Sequence, residues 1–155
     1  MSFYRNIVIL IALTVWCGGC AALTGVKSEY LVCPYDTVWD AALETMRERP
    51  VTVQDKGKGV IETAWTETPV TGRPYGIFSR QGLDNKERAR MVLMVKRVNE
   101  VTEVSLSENR ERWHLRGGAT SQAYRWWPIE PSQEAMNAVL NRLRTKLKER
   151  GCSPT

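Results

Sequence analysis

The fold of this chain is decided by one alternating stretch, Met91-Val92-Leu93-Met94-Val95-Lys96-Arg97-Val98-Asn99-Glu100-Val101-Thr102-Glu103-Val104-Ser105-Leu106-Ser107. Apolar side chains recur at every second position on both sides of Asn99-Glu100, and a period of two is that of a β-strand. The stretch is therefore predicted to form a β-hairpin that turns at Asn99-Glu100. In the first strand one face carries Met91, Leu93 and Val95 and the other carries Val92, Met94 and Lys96. In the second strand Thr102, Val104 and Leu106 share one face.

The rest of the chain surrounds this hairpin with elements that periodicity and capping residues predict. These are a strand over 29–33, a helix from the N-cap Asp36 to Pro50, a hairpin over 51–66 around a glycine-containing turn, and a final helix from the N-cap Ser132 to Gly151. A bulge is expected near Asn109, because Trp113 and Leu115 shift phase relative to Leu106. The order β-α-β-β-β-β-α predicts an α+β, helix-grip-like fold, in which two helices cover one face of an antiparallel sheet.

Two segments lack periodicity and are predicted to be irregular, residues 67–87 and 117–131. Loops of this length in a compact domain are often functional. Tyr, Trp and Arg are the residue types that dominate protein–protein contacts. The candidate partner-binding residues are therefore Tyr75 and Phe78 in the first segment and Tyr124, Arg125, Trp126 and Trp127 in the second. The alternative for the second segment is that its rings cover the core or the base of the last helix.

The N-terminus has the pattern of an export signal. Arg5 precedes an uncharged apolar run over 7–17, which is too short to span a membrane comfortably and is typical of a signal peptide. The following Gly18-Gly19-Cys20-Ala21 resembles a bacterial lipobox, which implies lipidation of Cys20. We therefore predict a lipoprotein signal peptide over 1–19, a lipidated tether over 20–28 and a single domain over 29–151. An uncleaved anchor or an ordinary cleaved signal is the alternative.

The predicted location changes how charge and cysteines are interpreted. Ala21 after the modified cysteine implies, by the same resemblance, a lipid anchor in the outer membrane facing the periplasm. The chain has 22 Lys+Arg against 17 Asp+Glu and a formal net charge of +5. In the periplasm this charge indicates anionic lipid head groups, or no specific partner, rather than nucleic acid. In that oxidising compartment the two remaining cysteines, Cys33 and Cys152, either pair in a disulfide or stay free thiols.

The sequence offers little chemistry for catalysis. His114 is the only histidine, so a hydrolase with a histidine base or a histidine-rich metal site has little support. The spacing of a phosphate-binding loop is absent around Gly57-Lys58-Gly59. The chain is therefore predicted not to be an enzyme and to use neither a metal nor a cofactor. A pair of carboxylates that meet only in the folded chain is the remaining enzymatic alternative.

Three features carry a family resemblance: the segment Pro34-Tyr35-Asp36-Thr37-Val38-Trp39-Asp40-Ala41-Ala42-Leu43, the segment Asp55–Thr63, and the lipobox. Together they resemble the helix-grip domain of BamC-like (NlpB/DapX) lipoproteins over residues 28–150. That resemblance implies an accessory role in outer-membrane protein assembly. The first segment is also similar to START/Bet v1-like helix-grip proteins, which enclose lipids. We predict a non-enzymatic, lipid-anchored interaction or scaffold module with an envelope protein partner. The alternative is a carrier that holds a lipid or other apolar ligand between the sheet and the C-terminal helix.

Overall fold

The predicted hairpin forms the centre of the structure. A computed structural model describes residues 25–70, 86–116 and 123–154. In chain order its elements are β1 (Val26–Val32), α1 (Tyr35–Met46), β2 (Val51–Asp55), β3 (Val60–Thr63), β4 (Thr66–Pro69), β5 (Lys86–Val98), β6 (Val101–Arg116), β7 (Ala123–Ile129), α2 (Gln133–Glu149) and β8 (Ser153–Pro154). The predicted α+β class, an antiparallel sheet with two helices on one face, is confirmed.

The β5–β6 hairpin is longer than predicted, and different strands pair with its two halves. The sheet order is β2-β3-β5-β6-β1-β8, while β4 pairs with β5 and β7 pairs with β6 beyond the ends of β3 and β1. The row that contains Val92 and Ser107 lies at the midpoint of the paired hairpin. We call the half toward the turn at Asn99 the proximal half, and the half flanked by β4 and β7 the distal half.

The hydrophobic core lies between the proximal half and the two helices. On the face of β5 and β6 that packs against the helices, Met91, Leu93 and Leu106 have no exposed surface. Trp39 of α1 is 2% exposed. From α2 the buried residues are Met136, Val139, Leu140, Leu143 and Leu147. Each large apolar side chain buried in this way contributes roughly 1.5–3 kcal/mol to folding, so this half of the sheet carries most of the stability from apolar burial.

The two helices begin differently from one another. Ser132 caps α2 as predicted, because its hydroxyl accepts a hydrogen bond from the Ala135 amide at 3.2 Å. The prediction that Asp36 caps α1 is wrong: the carbonyl of Pro34 already accepts the Val38 amide at 3.1 Å, so the helix begins at Tyr35. The Asp36 carboxylate instead forms an ion pair with Lys56 at 2.8 Å, which links the helix to the β2–β3 turn.

A disulfide joins Cys33, which follows β1, to Cys152, which follows α2. Their Cα atoms are 5.4 Å apart, within the ordinary range for a disulfide. Both cysteines are buried at the edge of the core. The cross-link therefore ties the beginning of the described domain to its last helix.

Several predicted boundaries are wrong, and most of the errors lie in the distal half. The first strand begins at Val26, inside the predicted tether. β4 and β7 are strands within the two segments that were predicted to be irregular, and Pro128 is tolerated because β7 pairs on one side only. The bulge near Asn109 is absent, since β5 and β6 pair without interruption from Val98↔Val101 to Lys86↔Trp113. The phase change has another cause: Glu108, Arg110 and Arg112 take the positions that apolar residues hold in the proximal half.

Candidate functional site

The face of the sheet turned away from both helices, which we call the open face, exposes apolar side chains. Directly opposed residues in a sheet point to the same side, and the register therefore assigns each side chain to a face. In the described ranges, every large hydrophobic residue that is exposed belongs to the open face, and the exposed fractions run from 40% to 57%. These residues are Val26, Tyr30, Val32, Val53, Met94 and Tyr124. An apolar surface gathered on one face marks a contact surface.

At the distal end of the open face, cations and indole rings alternate. We call this group the cation–aromatic array; it consists of Trp65, Lys86, Arg88, Arg90, Trp113 and Trp126. The guanidinium carbon of Arg88 lies 4.5 Å from the ring centre of Trp65 and 4.3 Å from that of Trp126. The guanidinium carbon of Arg90 lies 4.9 Å from the ring centre of Trp65, and the Lys86 ammonium lies 5.2 Å from the ring centre of Trp126. Each such contact contributes about 0.5–1 kcal/mol at an exposed site.

Each cation of the array also has a carboxylate partner on the same face. Lys86 pairs with Glu67 at 2.8 Å, Arg88 pairs with Glu111 at 2.6 Å, and Arg90 pairs with Glu62. Partly exposed ion pairs of this kind add little stability individually. Their consequence is geometric and electrostatic, because they hold the cations over the rings and leave the array without an excess of either charge.

The structure divides the predicted patch in β7 between two faces. Successive side chains of a strand point to opposite sides, so Tyr124 and Trp126 lie on the open face while Arg125 and Trp127 lie on the other. Tyr124 stacks on Trp113 with ring centres 6.4 Å apart. On the opposite face the Arg125 guanidinium carbon lies 4.3 Å from the Trp127 ring centre. Of the four predicted residues in β7, Trp126 belongs to the array and Tyr124 adjoins it through Trp113. Tyr75 and Phe78 lie outside the described residues, as does Cys20.

Behind the array, on the helix side of the distal half, two arginines enclose a buried carboxylate. Glu87 is 5% exposed, and its carboxylate accepts hydrogen bonds from Nε of Arg110 at 2.9 Å and Nε of Arg112 at 2.8 Å. Burial raises the pKa of the Glu87 carboxyl, but the two arginines outweigh this effect and the pKa lies below its ordinary value. This cluster fixes the register of β5 against β6 where no apolar core is present, and so positions the neighbouring Lys86 and Arg88.

Among the described residues, surface depressions adjoin the sheet at the array and at the β2–β3 turn. One has a volume of about 350 Å³ and lies between Trp65, Arg90 and the segment 128–131 beside the array. The other has a volume of about 400 Å³ and lies at the β2–β3 turn, where Lys56, Lys58 and Arg97 surround Tyr35. In the second, Asp36 and Asp55 partly neutralise the cations.

Sequence reasoning missed Trp65, Lys86 and Trp113, which complete the array. One signal was available: cations occupy alternate positions in Lys86-Glu87-Arg88-Ala89-Arg90, as they would along one face of a strand. The tryptophans carried no such signal, because they come from three strands or their flanks and meet only through the register.

Neither known protein families nor metal-binding groups identify a function for the described residues. No protein-family model matches the chain, and no curated protein matches it. Within residues 25–70, 86–116 and 123–154, no group of three or more His, Cys, Asp or Glu residues is arranged to hold a metal ion. None of the helices in this part of the chain combines the length and the apolar character needed to cross a membrane.

Proposed function

We propose that the chain is a lipid-anchored envelope lipoprotein of the outer membrane, facing the periplasm, that acts as a non-enzymatic interaction module. Its binding surface is the open face of the sheet, and its partner is a protein. The observation that carries the proposal is the concentration of exposed apolar residues and of the cation–aromatic array on this one face. Trp, Tyr and Arg held in fixed positions are the residues most often found at the centres of protein interfaces.

The alternative of a lipid carrier has less support from the packing of the core. A carrier would need an apolar cavity between the sheet and α2. That space is filled by side chains with almost no exposed surface, including Met136 and Leu143 from α2 and Leu106 from β6. An accessory role in outer-membrane protein assembly remains part of the proposal, and its support is the sequence resemblance described above.

The proposed anchor would hold the open face close to the membrane. Gly25, the first described residue, lies five positions after Cys20. A fully extended chain of that length spans at most about 18 Å. Acyl chains on Cys20 would therefore confine the domain to the membrane surface, where partners in the same membrane are at high effective concentration.

The anchor is tested by expressing the full chain in a bacterium with two membranes. We expect the N-terminal mass to correspond to a triacylated Cys20 and the protein to fractionate with the outer membrane. Cys20→Ser should abolish the lipid mass and release the protein from that fraction. An unmodified Cys20 in the membrane-associated protein would contradict the proposal.

The binding surface is tested by site-specific photo-crosslinking in the same cells. A photoreactive residue replaces Met94 on the open face or, as the matched control, Gln54, which is exposed on the other face. We expect protein adducts from position 94 and none from position 54. Equal labelling from the two positions would refute the assignment of the open face.

A further inference from the structure

We infer that the protein bound to the open face is a second copy of this chain, packed face to face about a two-fold axis. This inference rests on the proposed function, because it names the partner of the same surface. The axis runs across the strands, along the row that contains Val26, Ser107 and Val92. The resulting dimer is a β-sandwich in which the distal half of each sheet covers the proximal half of the other.

The first argument is the position of this row. β5 contains thirteen residues, and Val92 is the central one, opposite Ser107 of β6. Val26, the first residue of β1, stands opposite Ser107 on the other side and is 52% exposed. Flanking strands lie on both sides of this row, β3 and β1 toward the turn and β4 and β7 away from it. A rotation of 180° about the row therefore places β4 of one copy over β3 of the other and β7 over β1, while β2 and β8 extend the proximal half beyond these strands.

The second argument is the point at which the tether leaves the domain. Val26 lies on the central row and begins β1, so the tether joins the sheet at the end of the proposed axis. A two-fold rotation about that axis keeps both tethers at the same edge of the sandwich. Both lipid anchors can then enter one membrane, with the axis along the membrane normal. A head-to-tail arrangement of the same faces would not have this property.

The third argument is the size of the surface. The surface is about four strands wide at about 4.8 Å per strand, because short strands flank β5 and β6 on each side, and it is thirteen residues long along β5. It therefore covers roughly 20 Å by 40 Å, or about 800 Å² from each copy. Two such surfaces bury about 1,600 Å², which is the area of a standard stable interface. Sheets with a normal twist pack in this aligned manner with their strands at about 30° to one another.

The fourth argument is the charge of the surface, which separates a second copy from other occupants. The three cations of the array have carboxylate partners in the same chain. In the proximal half Lys96 stands opposite Glu103 of β6. A face whose charges are already compensated offers no net attraction to an anionic lipid surface or to a strongly charged protein. It can pack against a copy of itself without burying an excess of like charge.

The test introduces one cysteine into the full chain, which is purified with its lipid and reconstituted into vesicles of phosphatidylethanolamine and phosphatidylglycerol. Cys33 and Cys152 are already joined, so a cysteine at Ser107 supplies a thiol on the proposed axis. A short bifunctional maleimide is added, since packed sheets lie about 10 Å apart. The parent chain and Lys148→Cys, on the exposed side of α2, are the controls. We expect covalent dimers from Ser107→Cys and background levels from both controls.

A second measurement does not depend on the introduced thiol. The mass of the detergent-solubilised chain is followed by light scattering over a range of concentrations. We expect the dimer dissociation constant to rise at least about tenfold in Met94→Glu, which places an unpaired charge inside the interface. Gln54→Glu, a charge on the other face, should change it less than about twofold. Retention of the disulfide and of the circular-dichroism spectrum identifies variants that are folded.

The outcomes distinguish this inference from the proposed function. Dimers no more abundant from Ser107→Cys than from Lys148→Cys, or a purely monomeric mass, would overturn the inference. If position 94 still yields adducts with a different protein in cells, the interaction module stands and the second copy is refuted as its partner. Lipid adducts alone from position 94 would refute the inference in favour of a membrane-facing surface. Absence of lipid on Cys20 would refute the anchor while leaving the light-scattering measurement of the dimer valid, because that measurement does not depend on which thiols are free.

Discussion

Removal of the disulfide between Cys33 and Cys152 is the perturbation whose size the structure defines best. The two cysteines are 119 residues apart in sequence. In the chain-entropy model, closing a loop of this length stabilises the folded state by about 5 kcal/mol, because the cross-link restricts the unfolded chain. Single domains are stable by only about 5–15 kcal/mol in total. We therefore expect the Cys33→Ala/Cys152→Ala variant to lose a third or more of the stability of the oxidised protein.

The assay is urea denaturation of the full chain in a non-ionic detergent, followed by tryptophan fluorescence. The oxidised protein, the reduced wild type and the double-alanine variant are compared. The reduced wild type and the double-alanine variant should have the same free energy of unfolding. Their m-values should exceed that of the oxidised protein, because the unfolded chain expands when the cross-link is absent. If both lose less than about 1 kcal/mol of unfolding free energy relative to the oxidised protein, the reasoning is refuted. The cross-link would then add little to the stability that the core provides.

Three further predictions concern local structure. Gly59→Ala should destabilise the protein by about 2–3 kcal/mol in the same assay, because Gly59 has φ of 69° and an added Cβ would collide with the Val95 carbonyl oxygen; an effect below about 0.5 kcal/mol would contradict this. Glu87→Gln should cost about 2 kcal/mol near neutral pH. Since the folded-state pKa of Glu87 is lowered, this deficit should shrink as pH falls below the ordinary carboxyl range, and a constant deficit would be inconsistent. Arg88→Gln should lower the free energy of unfolding by about 1 kcal/mol, and Arg88→Lys, which keeps a cation over the rings, should lower it less. Equal stability of both variants and the wild type would mean that the ring contacts are energetically neutral.

The proximal half of the fold could be predicted from sequence because its residues segregate by polarity. In β6 the buried Val104 and Leu106 alternate with polar residues, and the two faces of the hairpin follow directly from that period. α2 was predicted for the same reason, with Ser132 at its beginning and Gly151 at its end. In these elements local capping, periodicity and burial all favour one structure.

The distal half could not be predicted in the same way, because its strands have polar or aromatic residues on both faces. β5 begins with charged residues, and Glu87 is buried against arginines rather than among apolar side chains. The pattern therefore lacks the polarity alternation on which strand prediction depends. The array was inaccessible for a further reason, since Trp65 and Trp126 approach Arg88 only through strand pairings between distant segments. Adjacent aromatic residues in sequence suggested one patch, whereas a strand necessarily divides them between its faces.

The two halves of the sheet together explain how one face can remain open without promiscuous association. An exposed apolar sheet face is ordinarily an aggregation hazard, and proteins limit that hazard with charges on the same surface. Here the array places Arg88 and its neighbours among the tryptophan rings, and each cation is held by a carboxylate of the same chain. A chance apolar partner would have to desolvate these pairs without replacing their contacts, which is costly. A partner that offers hydrogen-bonding groups to these ion pairs avoids much of that cost, so the open face is selective for a closely complementary partner.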